Sequence, residues 1–225
     1  NKDLANEYGK ICGNYSLWSN LTIFWGCGTN LHRTPYNARN HEYYSEDAVL
    51  TSGQAVAFIS GGKEYGVIIA PKHLAFNDTE INRTGVSVFM TEQQARENEL
   101  RGTQASIEDA GALGIMTAFN RVGITAANAH TGLLKNILRG EWGFKGLESQ
   151  DFIMNPNYAV LKEYAHNGGP MTTFTGENTM AAVSEKFAYW TTENVGQDTE
   201  LMGAIKQAMT WQAYALANSN ALDGM

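Results

Sequence analysis

Apolar, β-branched runs of strand length alternate along the chain with longer stretches of helical period. The strand candidates are Leu21–Trp25, Gly66–Ala70, Leu113–Ala118, Leu147–Asp151 and Met171–Phe174, with a weaker one near Val122–Thr125. The segments between them carry helix-start and helix-stop residues. Ser45 can cap a helix running to Gly61, Thr91 with Gln94 resembles a capping box for a helix to about Ala110, and Thr131 can cap a short helix ending at Gly140. Pro156 suits a first helical position and Asn167-Gly168 the end of that helix, while a last helix is predicted from Asp198 to about Ala217. Alternation of this kind predicts parallel strands joined by helical crossovers, an α/β fold.

The polar residues that follow the strands narrow the fold further. Asn30-Leu31-His32-Arg33 follow the first strand, Lys72-His73 the second and Asn120-Arg121 the third, and Asp151 ends the strand that starts at Leu147. Parallel strands deliver such groups to one rim, which in a (β/α) TIM-like barrel is the catalytic face. Residues 1–225 are therefore expected to form a single partial barrel domain with about six of the eight strands of a closed barrel. The chain opens on a helix, so the missing pair is expected before Asn1.

Composition excludes several classes. Of 225 residues, 17% are charged and 43% apolar, which fits neither a disordered chain nor a membrane protein, and no apolar run approaches the roughly 18 residues needed to span a bilayer. A net charge of −7 argues against nucleic acid as a partner. Cys12 and Cys27 do not make a disulfide framework and are expected as two buried thiols. Asn14, Asn20, Asn77 and Asn82 begin N-x-Ser/Thr triplets, which arise often by chance, and the N-terminus lacks the apolar stretch of a signal peptide although a processed start would look the same. Localisation stays open between cytoplasm and exterior.

Three longer stretches point to a particular chemistry. Asn30-Leu31-His32-Arg33-Thr34-Pro35-Tyr36-Asn37-Ala38-Arg39-Asn40-His41-Glu42-Tyr43-Tyr44-Ser45-Glu46-Asp47 resembles the R-x-P-x-x-G-R-x-x-E-x-Y-S-E-D block of glycoside hydrolase family 3, the β-glucosidase-like retaining glycosidases. Pro71-Lys72-His73-Leu74-Ala75-Phe76-Asn77-Asp78 is similar to the family's Lys-His block, and Met116–Gly123 with Leu138–Asp151 to the stretch leading to its nucleophile. With Ala217-Asn218-Ser219-Asn220-Ala221, similar to the barrel's closing helix in some bacterial members, the resemblance covers nearly the whole chain.

Retaining glycoside hydrolysis needs a carboxylate nucleophile at the anomeric carbon and a second carboxylic acid that protonates the leaving oxygen. The resemblance, with the strand-end position, gives Asp151 the first role. It implies that Lys72 and His73 hold sugar hydroxyls, with the Lys72 charge favouring ionised Asp151. It implies also that Arg33 contacts the sugar through its fork of donors, and that Phe119 and Phe152 place rings near it. Arg39 and Glu42 are expected as a structural pair bracing their loop, and Trp18, Trp25, Trp142, Trp190 and Trp211 as packing residues. The substrate implied is a β-linked glucoside, a related exo-β-glycoside or an oligosaccharide. No metal or other cofactor, nucleic acid or membrane is implied. Unpaired barrel strands would favour a second chain or self-association that completes the barrel.

The pattern is broken in places. Glu148, Ser149 and Gln150 interrupt a strand expected to be apolar on both faces, Ala38 stands where the family carries Gly, and His41 where it usually carries an aromatic residue. In the β-glucosidase branch the acid/base glutamate comes from a second domain. In the β-N-acetylglucosaminidase branch it is a histidine on the loop after Lys-His, and Asn77–Arg83 contains none. Two further readings stay open: a carbohydrate-binding or scaffold protein that has lost turnover, and an enzyme with its own acid among Glu80, Glu148 and Glu177.

Overall fold

The computed structural model describes residues 1–83, 85–152, 161–169 and 191–222. Helix α1 (Lys2–Trp18) starts on Asn1, whose side chain accepts from the N–H groups of Asp3 and Leu4. Helix α2 (Ala48–Lys63) is capped by Asp47, which accepts from Leu50 N–H at 2.6 Å. The expected cap, Ser45, lies two residues earlier and accepts from Asp47 N–H at 3.0 Å instead, fixing the cap rather than forming it. The two helices touch backbone to backbone through glycines: a Cβ on Gly61 would come 2.1 Å from the Asn6 carbonyl oxygen.

Four parallel strand lines follow one another in space. β1 (Ile23–Phe24) pairs with β2 (Ile68–Ile69), and β3 (Lys72–Leu74) continues the β2 line past Pro71 to pair with β5 (Gly114–Thr117), which pairs with β8 (Leu147–Gln150). The β1 line also reaches further than its ladder, because Gly28 bridges Lys72. The predicted strands are thus present at Leu21–Trp25, Gly66–Ala70, Leu113–Ala118 and Leu147–Asp151, trimmed at their ends. The weak candidate near Val122–Thr125 belongs elsewhere. β6 (Arg121–Val122) and β7 (Thr125–Ala126) form an antiparallel hairpin, with Gly123 at φ +58° in its turn, and β6 pairs on its other side with β4 (Ser87–Val88). Two apolar residues around a Gly-Ile turn mimic a short core strand in sequence. The candidate Met171–Phe174 and the helix start at Pro156 lie outside the described residues.

Helices connect the strands as the alternation predicts. Thr91 accepts from Gln94 N–H at 3.1 Å and opens α3 (Glu92–Gln94), which runs through a wide π-type turn (Ala95–Glu99) into α4 (Arg101–Glu108). The next helix, Gly132–Glu141, is π-type throughout. Thr131 makes no cap bond, and His130 Nδ1 takes that place by accepting from Leu133 N–H at 3.0 Å. α5 (Leu161–His166) ends at Asn167, followed by Gly168 at φ +97°; α6 (Thr192–Gln197) leads to α7 (Thr199–Ala217), capped by Asp198 on Leu201 N–H at 3.0 Å.

Apolar residues fill the space between strands and helices. Ile115, Leu134 and Leu138 are fully buried in one cluster, and each contributes about 1.5–3 kcal/mol by leaving water. A second cluster joins Phe58 and Ile59 of α2 to Ile69, and a third joins Ile68 and Leu147 to Ala215 of α7. Cys27 is buried in the second cluster, where burial pushes its thiol up to about 11, whereas Cys12 is only half-buried. Trp18 overturns its expected packing role: it is 86% exposed and continues an outward stripe of Leu4, Tyr8, Ile11 and Tyr15 on α1. Among the described residues no helix is long and apolar enough to cross a membrane.

Candidate functional site

The site grows from the C-terminal ends of β3 and β8. His73 is the middle residue of β3 and Asp151 directly follows β8, and the intervening β5 pairs with both strands. His73 Nε2 lies 3.4 Å from Asp151 Oδ2, with the His73 side chain 1% exposed and that of Asp151 9%. The other carboxylate oxygen, Oδ1, accepts the Phe152 backbone N–H at 2.9 Å.

Two opposed effects act on Asp151. Burial raises its pKa, and the Phe152 N–H and the charges of Arg83, Arg39 and Lys72 oppose that rise, leaving the group above the usual aspartate value. Burial, and then the charges of Arg39, Lys72 and Arg83, hold His73 well below the usual histidine value. The imidazole is therefore neutral, and its contact with Asp151 is a hydrogen-bonding relation rather than an ion pair.

The loops above the strands are tied together by buried amides. Asn30 accepts from His73 N–H at 2.8 Å and donates to the His73 carbonyl at 3.0 Å. Asn120 donates to the Ala75 carbonyl at 3.0 Å. The post-strand asparagines thus hold the rim in shape. Asn77 donates to the Tyr43 hydroxyl at 3.0 Å and to Glu80 Oε1 at 3.1 Å. Its burial, 1% exposed, also closes the Asn77-Asp78-Thr79 triplet to glycan attachment in the folded chain.

Charges alternate around this rim. Arg39 pairs with Glu42 at 2.5 Å, as expected, and approaches Glu80 at 3.7 Å, while Arg83 pairs with Glu80 at 2.7 Å. Lys72 Nζ stands 4.0 Å from Glu42 Oε1. Arg33 binds Asp78 Oδ2 at 2.5 Å and approaches Glu99 Oε1 at 3.4 Å, with its side chain 34% exposed. One guanidinium cannot balance two buried carboxylates. Burial, then the neighbouring Asp78, push Glu99 up to about 8, so the cluster is neutral when Glu99 keeps its proton.

The structure brings Lys72, His73 and Asp151 together and ties Arg33 to the same rim through Asp78, five residues after His73. Phe152 is exposed beside Asp151, whereas Phe119 is buried with the Arg83 guanidinium 4.2 Å above its ring. Arg83 and Tyr43 are the residues that sequence reasoning passed over. Arg83 was visible only as part of a loop lacking histidine, and Tyr43 only as the unspecified residue between Glu42 and Tyr44. Glu80 accepts from Arg83 and Asn77 and stands near Arg39. Glu148 is three residues before Asp151 on the opposite side of β8, fully buried 3.6 Å from Arg139. Glu177 lies outside the described residues.

Comparison with known proteins places this rim in context. Residues 1–168 match the description "Glycosyl hydrolase family 3 N terminal domain". The chain is 36% identical over 149 residues to beta-glucosidase BoGH3A of Bacteroides ovatus, covering 66% of this chain and 20% of that protein. It is 39% identical over 150 residues to beta-glucosidase B of Emericella nidulans, covering 67% of this chain and 18% of that one. The fold superposes on beta-glucosidase 3B from Thermotoga neapolitana, solved in complex with glucose, with a TM-score of 0.87 and 26% identity over 99% of this chain and 31% of that structure. The chain thus spans about a fifth of the length of the curated relatives it matches.

Proposed function

The chain belongs to glycosyl hydrolase family 3, and from that premise we propose that it supplies the nucleophile and part of the sugar pocket of a retaining β-glucosidase. The observation that carries this reading is the placement of Asp151: a mostly buried carboxylate at a parallel strand end, hydrogen-bonded by Phe152 N–H and faced by neutral His73 and three cationic side chains. A nucleophile must be ionised yet poorly solvated, and Arg83, Arg39 and Lys72 oppose the rise that burial imposes.

In the proposed reaction an Asp151 oxygen attacks the anomeric carbon, forming a glycosyl ester as the bond to the aglycone oxygen breaks; water then hydrolyses the ester with overall retention. Lys72 and Arg33 offer donors to sugar hydroxyls, His73 faces Asp151 through Nε2, and Phe152 is an exposed ring beside the reacting carbon. Phe119 acts from beneath, by seating Arg83. The aglycone oxygen needs a proton, and the family resemblance assigns that acid to a second domain. The substrate class follows the relatives' names, which are those of β-glucosidases.

Dinitrophenyl β-glucoside tests this reading, because its leaving group departs without acid help. The expected result is release of dinitrophenolate by the native chain, lost in Asp151→Asn while glucose binding persists. Binding without release in the native chain would instead support a carbohydrate-binding role.

A further inference from the structure

Tyr43 lies under the site and belongs to none of the roles assigned so far. Its ring is 5% exposed, and its hydroxyl stands 3.2 Å from His73 Nδ1. The same hydroxyl accepts from Asn77 Nδ2 at 3.0 Å, so its own hydrogen must go elsewhere. His73 Nδ1 has a second neighbour, Asn30 Oδ1 at 3.3 Å, but that oxygen already accepts the His73 backbone N–H at 2.8 Å. Asn30 cannot be turned over, since its Nδ2 is needed at the His73 carbonyl.

We propose that Tyr43 is a positioning residue that sets the tautomer of His73: its hydroxyl donates to Nδ1, so that the single ring hydrogen is carried on Nε2 and points at Asp151 Oδ2. The opposite tautomer fails on two counts. Among the described residues it would leave the buried Tyr43 hydroxyl hydrogen without an acceptor, and it would set the bare Nε2 lone pair against a carboxylate oxygen 3.4 Å away. Tyr43 and Asn30 therefore compete for Nδ1, and Tyr43 decides the outcome. The chain of donors runs Asn77 to Tyr43 to His73 to Asp151. This inference rests on Asp151 being the nucleophile for its consequence in catalysis, but the tautomer itself does not.

Nitrogen-15 NMR of the histidine rings in the unmodified chain tests the assignment without any sugar. The expected spectrum has His73 neutral with its hydrogen on Nε2; a hydrogen on Nδ1 overturns the proposal at once. In Tyr43→Phe, which keeps the ring, Asn30 Oδ1 becomes the remaining partner, and the hydrogen is expected to move to Nδ1. An unchanged tautomer in that folded variant also overturns it. For the chemical consequence, labelling of the chain by dinitrophenyl 2-deoxy-2-fluoro-β-glucoside should slow about tenfold in Tyr43→Phe, the loss of one hydrogen bond to a charged group, with the half-saturating probe concentration little changed. A tautomer shift with unchanged labelling refutes the catalytic role. Absence of labelling in the native chain refutes the glycosidase reading and leaves the tautomer to the NMR result.

Discussion

Two carboxyl groups three residues apart on one strand meet opposite fates. Asp151, past the end of β8, is surrounded by an N–H, a neutral imidazole and several cations, and keeps a path to solvent at the rim. Glu148, in the body of β8, faces outward against the helices, with neither carboxylate oxygen hydrogen-bonded and Arg139 at 3.6 Å. Arg139 is itself spent elsewhere: it donates to the carbonyls of Phe144 and Gly146 and lies 3.9 Å over the Trp211 ring. Burial therefore dominates Glu148 and lifts it to about 7. The difference teaches that charge on a barrel strand is supported by donors aimed at it, and that proximity to one busy cation is not enough. Asp151 is equipped to stay ionised, and Glu148 to take up a proton.

Substitutions can break this contrast from either side. The largest effect is expected for Asp151→Asn, which should abolish dinitrophenolate release while leaving the melting temperature at or above that of the native chain, since a buried charge is removed. A lower melting temperature would assign Asp151 a structural role. Arg139→Leu comes next. Among the described residues it removes the cation paired with Glu148, and losses of about 3–5 kcal/mol are typical when one partner of a buried pair is deleted. Chemical denaturation should show most of that loss restored in the double variant Arg139→Leu, Glu148→Leu.

The pH dependence sharpens the comparison further. Glu148 is raised from 4.5 to about 7 in the folded chain, so the folded state binds more protons than the unfolded one between those values. Its contribution is full below pH 4.5 and is lost as pH rises through about 7, on the order of 3 kcal/mol in total. Denaturation at a series of pH values should show this fall, and Glu148→Gln should flatten it. For Asp151 the readout is reactivity. The labelling rate should fall on the acid side at a pH above the ordinary aspartate range, and Lys72→Met should move that fall upward, because one opposing charge is gone. The smallest effect is expected where the same ion pairing is exposed. Arg96→Ala breaks a bidentate pair with Glu141, of 2.6 and 3.0 Å, yet should leave the denaturation midpoint unchanged within error.

Much of this architecture was legible in the sequence. Apolar β-branched runs and helical patterning located the four parallel strand lines and most of the helices, because strand cores such as Gly114–Thr117 and caps such as Thr91 are written in local residue types. The errors fell where two local signals compete. Ser45 and Asp47 both suit an N-cap, and only the path of the chain shows that the carboxylate reaches Leu50. Thr131 precedes a helix whose first donor is taken by His130. Trp18, expected to pack because large aromatics usually do, is turned outward by the fold together with Leu4, Tyr8, Ile11 and Tyr15. In the site, the strand-end position and the quoted blocks brought Lys72, His73, Arg33 and Asp151 to one rim. Tyr43 and Arg83 stayed hidden because their roles depend on contacts across 30 and 68 residues of chain, to His73 and Asp151 respectively. Spacing carries no signal for such contacts.

The central claim is that Asp151 rather than Glu148 is the reactive carboxylate. Incubation with dinitrophenyl 2-deoxy-2-fluoro-β-glucoside, followed by intact mass and peptide mapping, tests it most directly, since the activated leaving group needs no acid and the fluorine slows hydrolysis of the ester. The account predicts one added fluoroglucosyl group on the peptide that contains both residues, with fragmentation placing it on Asp151. An adduct on Glu148, or none on a chain shown to be folded, would contradict it.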